Sequence, residues 1–181
     1  MKRLFVGIPL PEVLYSRLEE FYRDLKETEG YFRFVSVENL HLTLSFLGDV
    51  EEDQVSGVVE KIKLALSKQT KIPIKLVGAG CFPNEERINV IWVGIQGGVL
   101  IDVIKKVNSC LSVKTEHEEE IAHMTIARVK SVKYRGRIRE VVERFERVDF
   151  GSFIADRVFL YESELEPEGP IYTIVEKFEL L

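Results

Sequence analysis

Cysteine is scarce. Cys81 and Cys110 are the only two in 181 residues, too few and too unpatterned for a disulfide framework or a zinc site. A reducing, cytoplasmic setting suits such a chain. Long apolar runs are missing as well. The opening MKRLFVGIPLPE is too short in its apolar part for a signal peptide, and no stretch could span a bilayer, so a soluble chain with no membrane partner is expected. No Walker loop, Rossmann fingerprint or nucleophile elbow is present, which argues against triphosphate chemistry and against a Ser or Cys nucleophile. Positive charge is in deficit: 25 Lys and Arg against 30 Asp and Glu give a net −5, so any affinity for nucleic acid must be local. Cations do crowd Lys130, Lys133, Arg135, Arg137, Arg139, Arg144 and Arg147, just after Glu116, Glu118, Glu119 and Glu120. A solvated helix face is the default reading of that run, with an RNA-facing stripe as the alternative.

Histidine is scarce too, with three residues, yet two of them open the same pattern. His41-Leu42-Thr43-Leu44 begins HLTLSFLG, and His123-Met124-Thr125-Ile126 begins HMTIARVK. In an extended strand alternate side chains share a face, so each copy turns an imidazole and a hydroxyl to one side and an apolar pair to a core. His117 has no Thr partner and sits among glutamates, which reads as a surface residue.

Periodicity gives a mixed chain. Arg3 to Ile8 reads as a strand closed by Pro9 and Pro11, and Leu14, Leu18, Phe21 and Leu25 as a helix ended by Gly30. Tyr31 to Val35 is a brief strand. The first His-Thr strand is expected to close at Gly48-Asp49, followed by a helix through Val55 and Leu66. Strands over Ile72–Val77 and Arg87–Ile95 flank a loop, GAGCFPNEE, and Leu100 to Leu111 form a third helix. The second His-Thr strand spans Ile121–Val129, a helix covers Ile138–Val148, and strands Phe153–Tyr161 and Tyr172–Leu180 flank a loop, SELEPEGP. From each motif His the order is strand, helix, strand, Gly/Pro loop, strand, an internal repeat of structure. The mixture favours an α+β fold with two similar lobes, residues 1–181 forming one two-lobed domain with the His-Thr strands on either side of a cleft.

Two imidazoles and two hydroxyls suit phosphodiester cleavage. Its attacking and departing oxygens lie roughly in line across phosphorus, so one imidazole removes a proton while the other supplies one. Both forms of an ordinary His are accessible near neutral pH, and Thr hydroxyls can donate to the non-bridging oxygens. A hydrolytic metal site wants three or more ligands, which neither motif supplies.

The runs VSVENLHLTLSFLGDV, GAGCFPNEERINVIWVGI, HMTIARVK and RVFLYESELEPEGPIYTIVEKFEL resemble the RNA 2',3'-cyclic phosphodiesterases, historically 2'-5' RNA ligases, of the two-histidine phosphoesterase group. The resemblance covers nearly the whole chain in order. It implies a bilobal fold with a central cleft and opening of a 2',3'-cyclic phosphate to a 2'-phosphate, without metal or other cofactor. The implied substrates are RNA ends, tRNA halves among them, or small cyclic nucleotides, acted on by a monomer. ATP-independent 2'-5' ligation is implied when a 5'-hydroxyl replaces water. His41 becomes the acid that protonates O3', His123 the base that activates water, and Thr43 and Thr125 the phosphate anchors.

Arg128 takes the place of a phosphate-binding Arg in that family, although strict alternation puts it on the face opposite His123 unless a bulge re-aims it. Phe46 holds the equivalent position in the first motif. Ala122 replaces a common Pro and Phe34 a common Trp. Phe82 and Tyr172 are candidate aromatic contacts, and Trp92, inside NVIWVGI, reads as core. Hydrolysis of ADP-ribose 1'',2''-cyclic phosphate or 2'-5' oligoadenylate is the neighbouring alternative, and an RNA- or phosphate-binding module without chemistry the more distant one.

Overall fold

The computed structural model describes residues 1–112, 122–131, 135–166 and 169–181, apart from the side chain of Leu165. Among these residues, nine strands and four α-helices follow in the order β1 (Lys2–Pro9), α1 (Glu19–Lys26), β2 (Tyr31–Phe34), β3 (His41–Val50), α2 (Val55–Leu66), β4 (Ile72–Asn84), β5 (Arg87–Gln96), α3 (Gly98–Leu111), β6 (His123–Ser131), α4 (Arg135–Phe145), β7 (Asp149–Ala155), β8 (Arg157–Glu166) and β9 (Gly169–Glu179). All pairings are antiparallel. Sheet 1 has the order β3-β1-β8-β9, and sheet 2 the order β2-β6-β5-β4-β7.

Each sheet buries one face under two helices. Ile62, Leu66, Leu100, Val103 and Val107 of α2 and α3 pack on Leu4, Val6, Leu42, Leu44 and Leu160 of sheet 1. Phe21 and Leu25 of α1, with Ile138, Val142 and Phe145 of α4, pack on Leu76, Ile91, Val93, Met124 and Ile126 of sheet 2. Among the described residues, the opposite face of each sheet carries no helix, and it holds the His-Thr residues. The fold is therefore α+β, with two antiparallel lobes backed by helices.

The repeat expected from the sequence holds in part: each motif strand is followed by a helix and then a hairpin, with β7 an extra strand in the second half, and the two hairpins are exchanged in space. The hairpin after β3, formed by β4 and β5, builds sheet 2, whereas the hairpin after the second motif, β8 and β9, builds sheet 1. Each sheet so joins the His-Thr strand of one half to a hairpin of the other.

Several boundaries differ from the sequence expectation. Gly48 and Asp49 do not close β3, because they pair with Leu4 and Arg3 of β1. GAGCFPNEE is mostly strand: β4 runs on to Asn84, and β7 pairs with it only as far as Val77. Beyond that point β4 is an edge, where a Pro lacking N–H is tolerated at Pro83. The strand expected over Phe153–Tyr161 is two strands in different sheets, broken at Asp156. The first helix starts as a 3-10 turn over Glu12–Leu18. SELEPEGP belongs largely to the ends of β8 and β9. His117, Ile121, Lys133 and the glutamates Glu116, Glu118, Glu119 and Glu120 lie outside the described residues.

Candidate active site

β3 and β6 run alike. Through their first seven positions the exposure pattern is the same: half-buried, buried, half-buried, buried, buried, exposed, half-buried. Simple alternation breaks after the second aliphatic residue, and the ladders give the reason. Gly7 of β1 faces Thr43 and Val6 faces Ser45, so Leu44 is an extra residue. Trp92 of β5 faces Thr125 and Ile91 faces Ala127, so Ile126 is the extra residue of β6. A bulge of this kind shifts every later side chain to the other face. Ser45 and Ala127 therefore turn into the cores, while Phe46 and Arg128 return to the face of the His and Thr.

Both bulges free a carbonyl from the ladder, and both carbonyls are satisfied. The buried Asn108 of α3 donates from Nδ2 to the Leu44 oxygen at 3.2 Å. On β6 the backbone N–H of Val35 donates to the Ile126 oxygen at 2.8 Å. The side chain of Asn108 and the chain leaving β2 thus each hold a bulge in place.

On sheet 1, Nδ1 of His41 lies 2.7 Å from the Asn39 carbonyl oxygen. A carbonyl only accepts, so Nδ1 carries the hydrogen and Nε2 is the nitrogen available for chemistry. The ring leans on Phe5 at 4.8 Å and meets Tyr172 edge-on at 5.1 Å. Burial lowers the His41 pKa below its ordinary value, and the hydrogen bond to Asn39 partly opposes that. Close packing leaves no room under the motif, since a Cβ on Gly7 would stand 2.9 Å from the Leu42 oxygen and 3.5 Å from the His41 ring.

On sheet 2, His123 faces Gly94, meets Phe82 edge-on at 4.8 Å and lies 6.1 Å from Trp92. Trp92 is not core. It is half-buried on the open face opposite Thr125, its indole lying over Gly80, where a Cβ would come within 2.3 Å of the ring. Val93 and Ile91 take the core positions instead. The Trp92 Nε1 is buried with no hydrogen-bond partner among the described residues. Phe34 goes the other way: half-buried, it pairs with Ala127 on the core side and packs on Phe32 and Tyr22, facing away from His123.

The two open faces meet. β3 and β6 come within 8 Å at their Cα atoms although no ladder joins them. Asn39 beside β3 donates to the Pro170 oxygen at 3.4 Å. The Arg128 charge on sheet 2 reaches the Tyr172 phenol on sheet 1, easing the upward pKa shift that burial imposes there. Tyr172 also meets His41 edge-on, so one phenol lies against the sheet 1 imidazole and within the field of the sheet 2 guanidinium. All five site residues named from the sequence lie on these open faces. Phe5, Asn39 and Asn108 escaped the sequence reading, because their roles depend on pairing partners distant in the chain. No group of three or more potential metal-ligating side chains occurs among the described residues. No described helix is long and apolar enough to cross a membrane.

Comparison with known proteins finds relatives along the whole chain. The chain is 37% identical over 97% of its length to a Methanocaldococcus jannaschii protein named RNA 2',3'-cyclic phosphodiesterase, 99% of which is covered. It is 33% identical over 98% of its length to a Methanothermobacter thermautotrophicus protein of the same name, again with 98% covered. The crystal structure of TT0787 of Thermus thermophilus superposes with a TM-score of 0.82 at 26% identity, covering 98% of this chain and 97% of that one. Residues 8–92 and 99–172 match the family described as LigT like Phosphoesterase, and the chain belongs to that family.

Proposed function

We propose that this chain opens 2',3'-cyclic phosphates at RNA ends to 2'-phosphates, using His41 and His123 as its acid–base pair. The observation that carries the reading is the matched pair of bulged strands, which brings two His-Thr pairs to adjoining open faces from opposite lobes. Two full-length relatives named RNA 2',3'-cyclic phosphodiesterase support the substrate class.

In the reaction a water oxygen attacks phosphorus and the P–O3' bond breaks. His123 takes the proton from water, and His41 delivers one from Nε2 to the departing O3'. The products are a 2'-phosphomonoester and a 3'-hydroxyl. Burial favours neutral His41, and an anionic phosphate arriving beside the ring favours its charged, proton-donating form. Thr43, Thr125 and Arg128 bind the non-bridging oxygens, where negative charge gathers. A 5'-hydroxyl in place of water gives a 2'-5' linkage with the same proton movements. No cofactor enters the scheme, and the enzyme acts as a cytoplasmic monomer.

The test is hydrolysis of an oligoribonucleotide ending in a 2',3'-cyclic phosphate, with EDTA present. Turnover to the 2'-phosphate with a bell-shaped pH profile is expected. Activity abolished by EDTA and restored by a divalent metal would overturn the metal-free mechanism, and a 3'-phosphate product would overturn the assignment of O3' as leaving group.

A further inference from the structure

Sheet 2 presents more positive charge on its open face than one phosphate needs. β2 pairs with β6 so that Arg33 stands directly opposite Arg128, and both are exposed. Directly opposed residues of an antiparallel pair share a face with Cβ atoms about 4.5–5.5 Å apart. Arg33 is thus on the His123 face, while its neighbours Phe32 and Phe34 turn into the core. The β2–β6 ladder then shifts register between Tyr31 and Phe32, making Lys130 an extra, exposed residue on the same side. Outward from His123 the face carries Thr125, then Arg128 beside Arg33, then Lys130. β3 carries no such track, since Phe46 and Gly48 occupy the positions of Arg128 and Lys130.

We infer that Arg33, with Lys130, forms a second anion subsite that holds a backbone phosphate of the RNA chain next to the cyclic end. This rests on the RNA-end reading above and deepens it. A single strand bound at one end continues away from the reacting phosphate with one charge per nucleotide. A two-residue step along a strand, about 6.6–6.8 Å, suits successive charges of that chain. Arg33 lies one strand outside β6, about 4.8 Å further out, so it serves the neighbouring phosphate and leaves the reacting one to Arg128. A cyclic mononucleotide has no phosphate to place there, so the subsite separates RNA ends from small cyclic nucleotides.

The experiment compares wild type, Arg33→Ala and Arg33→Lys on 2',3'-cyclic AMP and on an oligoribonucleotide ending in a 2',3'-cyclic phosphate. For Arg33→Ala, kcat/KM on the oligonucleotide should fall roughly tenfold or more, chiefly through KM, as expected for one charge-assisted contact. On 2',3'-cyclic AMP it should stay within about twofold, and Arg33→Lys should recover most of the loss because a phosphate accepts either cation. Equal losses on both substrates, or none on the oligonucleotide, would overturn the subsite. Binding of an oligonucleotide bearing a 2'-phosphate end gives a readout independent of turnover. In Arg33→Ala the plot of log affinity against log salt should flatten by about 0.7, the value for one lost single-strand phosphate contact. An unchanged slope, or tighter binding of an acidic peptide than of the oligonucleotide, would refute the subsite. Failure of the wild type to hydrolyse either substrate would instead count against the proposed reaction.

Discussion

β3 and β6 carry the same motif, the same bulge and, through seven positions, the same burial, yet the residue returned to the open face differs: Phe46 on sheet 1, Arg128 on sheet 2. Around each, the neighbourhood follows suit. Phe46 is 66% exposed and lies 6.2 Å from Phe5, which stacks on Tyr161 and meets Tyr172 edge-on. Arg128 has Arg33 opposite it and Lys130 beyond. An aromatic face suits a base or ribose, and a cationic one suits phosphates. A duplicated strand supplies two matching imidazoles, and the departure from equivalence at Phe46 and Arg128, on the open faces, gives the substrate a direction across them.

The largest effect should come from the residues that are alike. His41→Ala and His123→Ala should each reduce kcat by about 10²–10⁴-fold, the usual worth of a general acid or base, and the double variant should lose far less than the product of the two. Single-turnover rates on the cyclic-phosphate oligonucleotide measure this. Full activity in either variant would remove that residue from the proton transfer.

Next comes the position that differs. Arg128→Ala should lower kcat/KM about tenfold to a hundredfold on both mononucleotide and oligonucleotide, whereas Phe46→Ala should cost less and act through KM. Exchanging the two, as Phe46→Arg with Arg128→Phe, should not restore activity if the aromatic and cationic sides each have a fixed place. Recovery to wild-type rates would show that either side can hold either part of the substrate.

The bulges offer a subtler break. Asn108→Ala leaves the Leu44 carbonyl without its donor, at an expected cost of about 1–3 kcal/mol in urea unfolding together with a fall in kcat. β6 has no such weak point, because a backbone N–H does the same work there.

The smallest effect concerns pH. The folded state disfavours protonated His41, so the unfolded chain binds more protons below its pKa of about 6.5. Stability from this residue is fully present above that pH and declines as the pH falls toward the lower, folded-state value. A urea midpoint that drops on acidification in wild type, and drops less in His41→Gln, is the expected record.

Much of this was legible from the residues. The two HxT tetrapeptides stand out because His is so scarce, and all four helices show their apolar spacing. Local pattern failed where pairing decides. Nothing in SFLG or ARVK announces a bulge, and the side taken by Arg128 is decided by Ile126, which has no partner in the β5 ladder. Trp92 read as core because it lies in an apolar run, yet the two faces of β5 are distinguished only by what covers them: helices on one side, His123 on the other. Asp156 passed as mid-strand because Ala155 and Val158 on either side are buried in the same core. Its carbonyl in fact accepts from Leu180 N–H at 2.8 Å where the chain changes sheets.

The exchanged hairpins bear on how the protein comes apart. In chain order the strands alternate between sheets at β1 to β2, β2 to β3, β3 to β4 and β7 to β8. Four covalent crossings stitch the lobes together, so neither can melt while its neighbour survives intact. The spacing of the two imidazoles is therefore maintained by the polypeptide itself, and catalytic competence should disappear in the same cooperative transition as the fold.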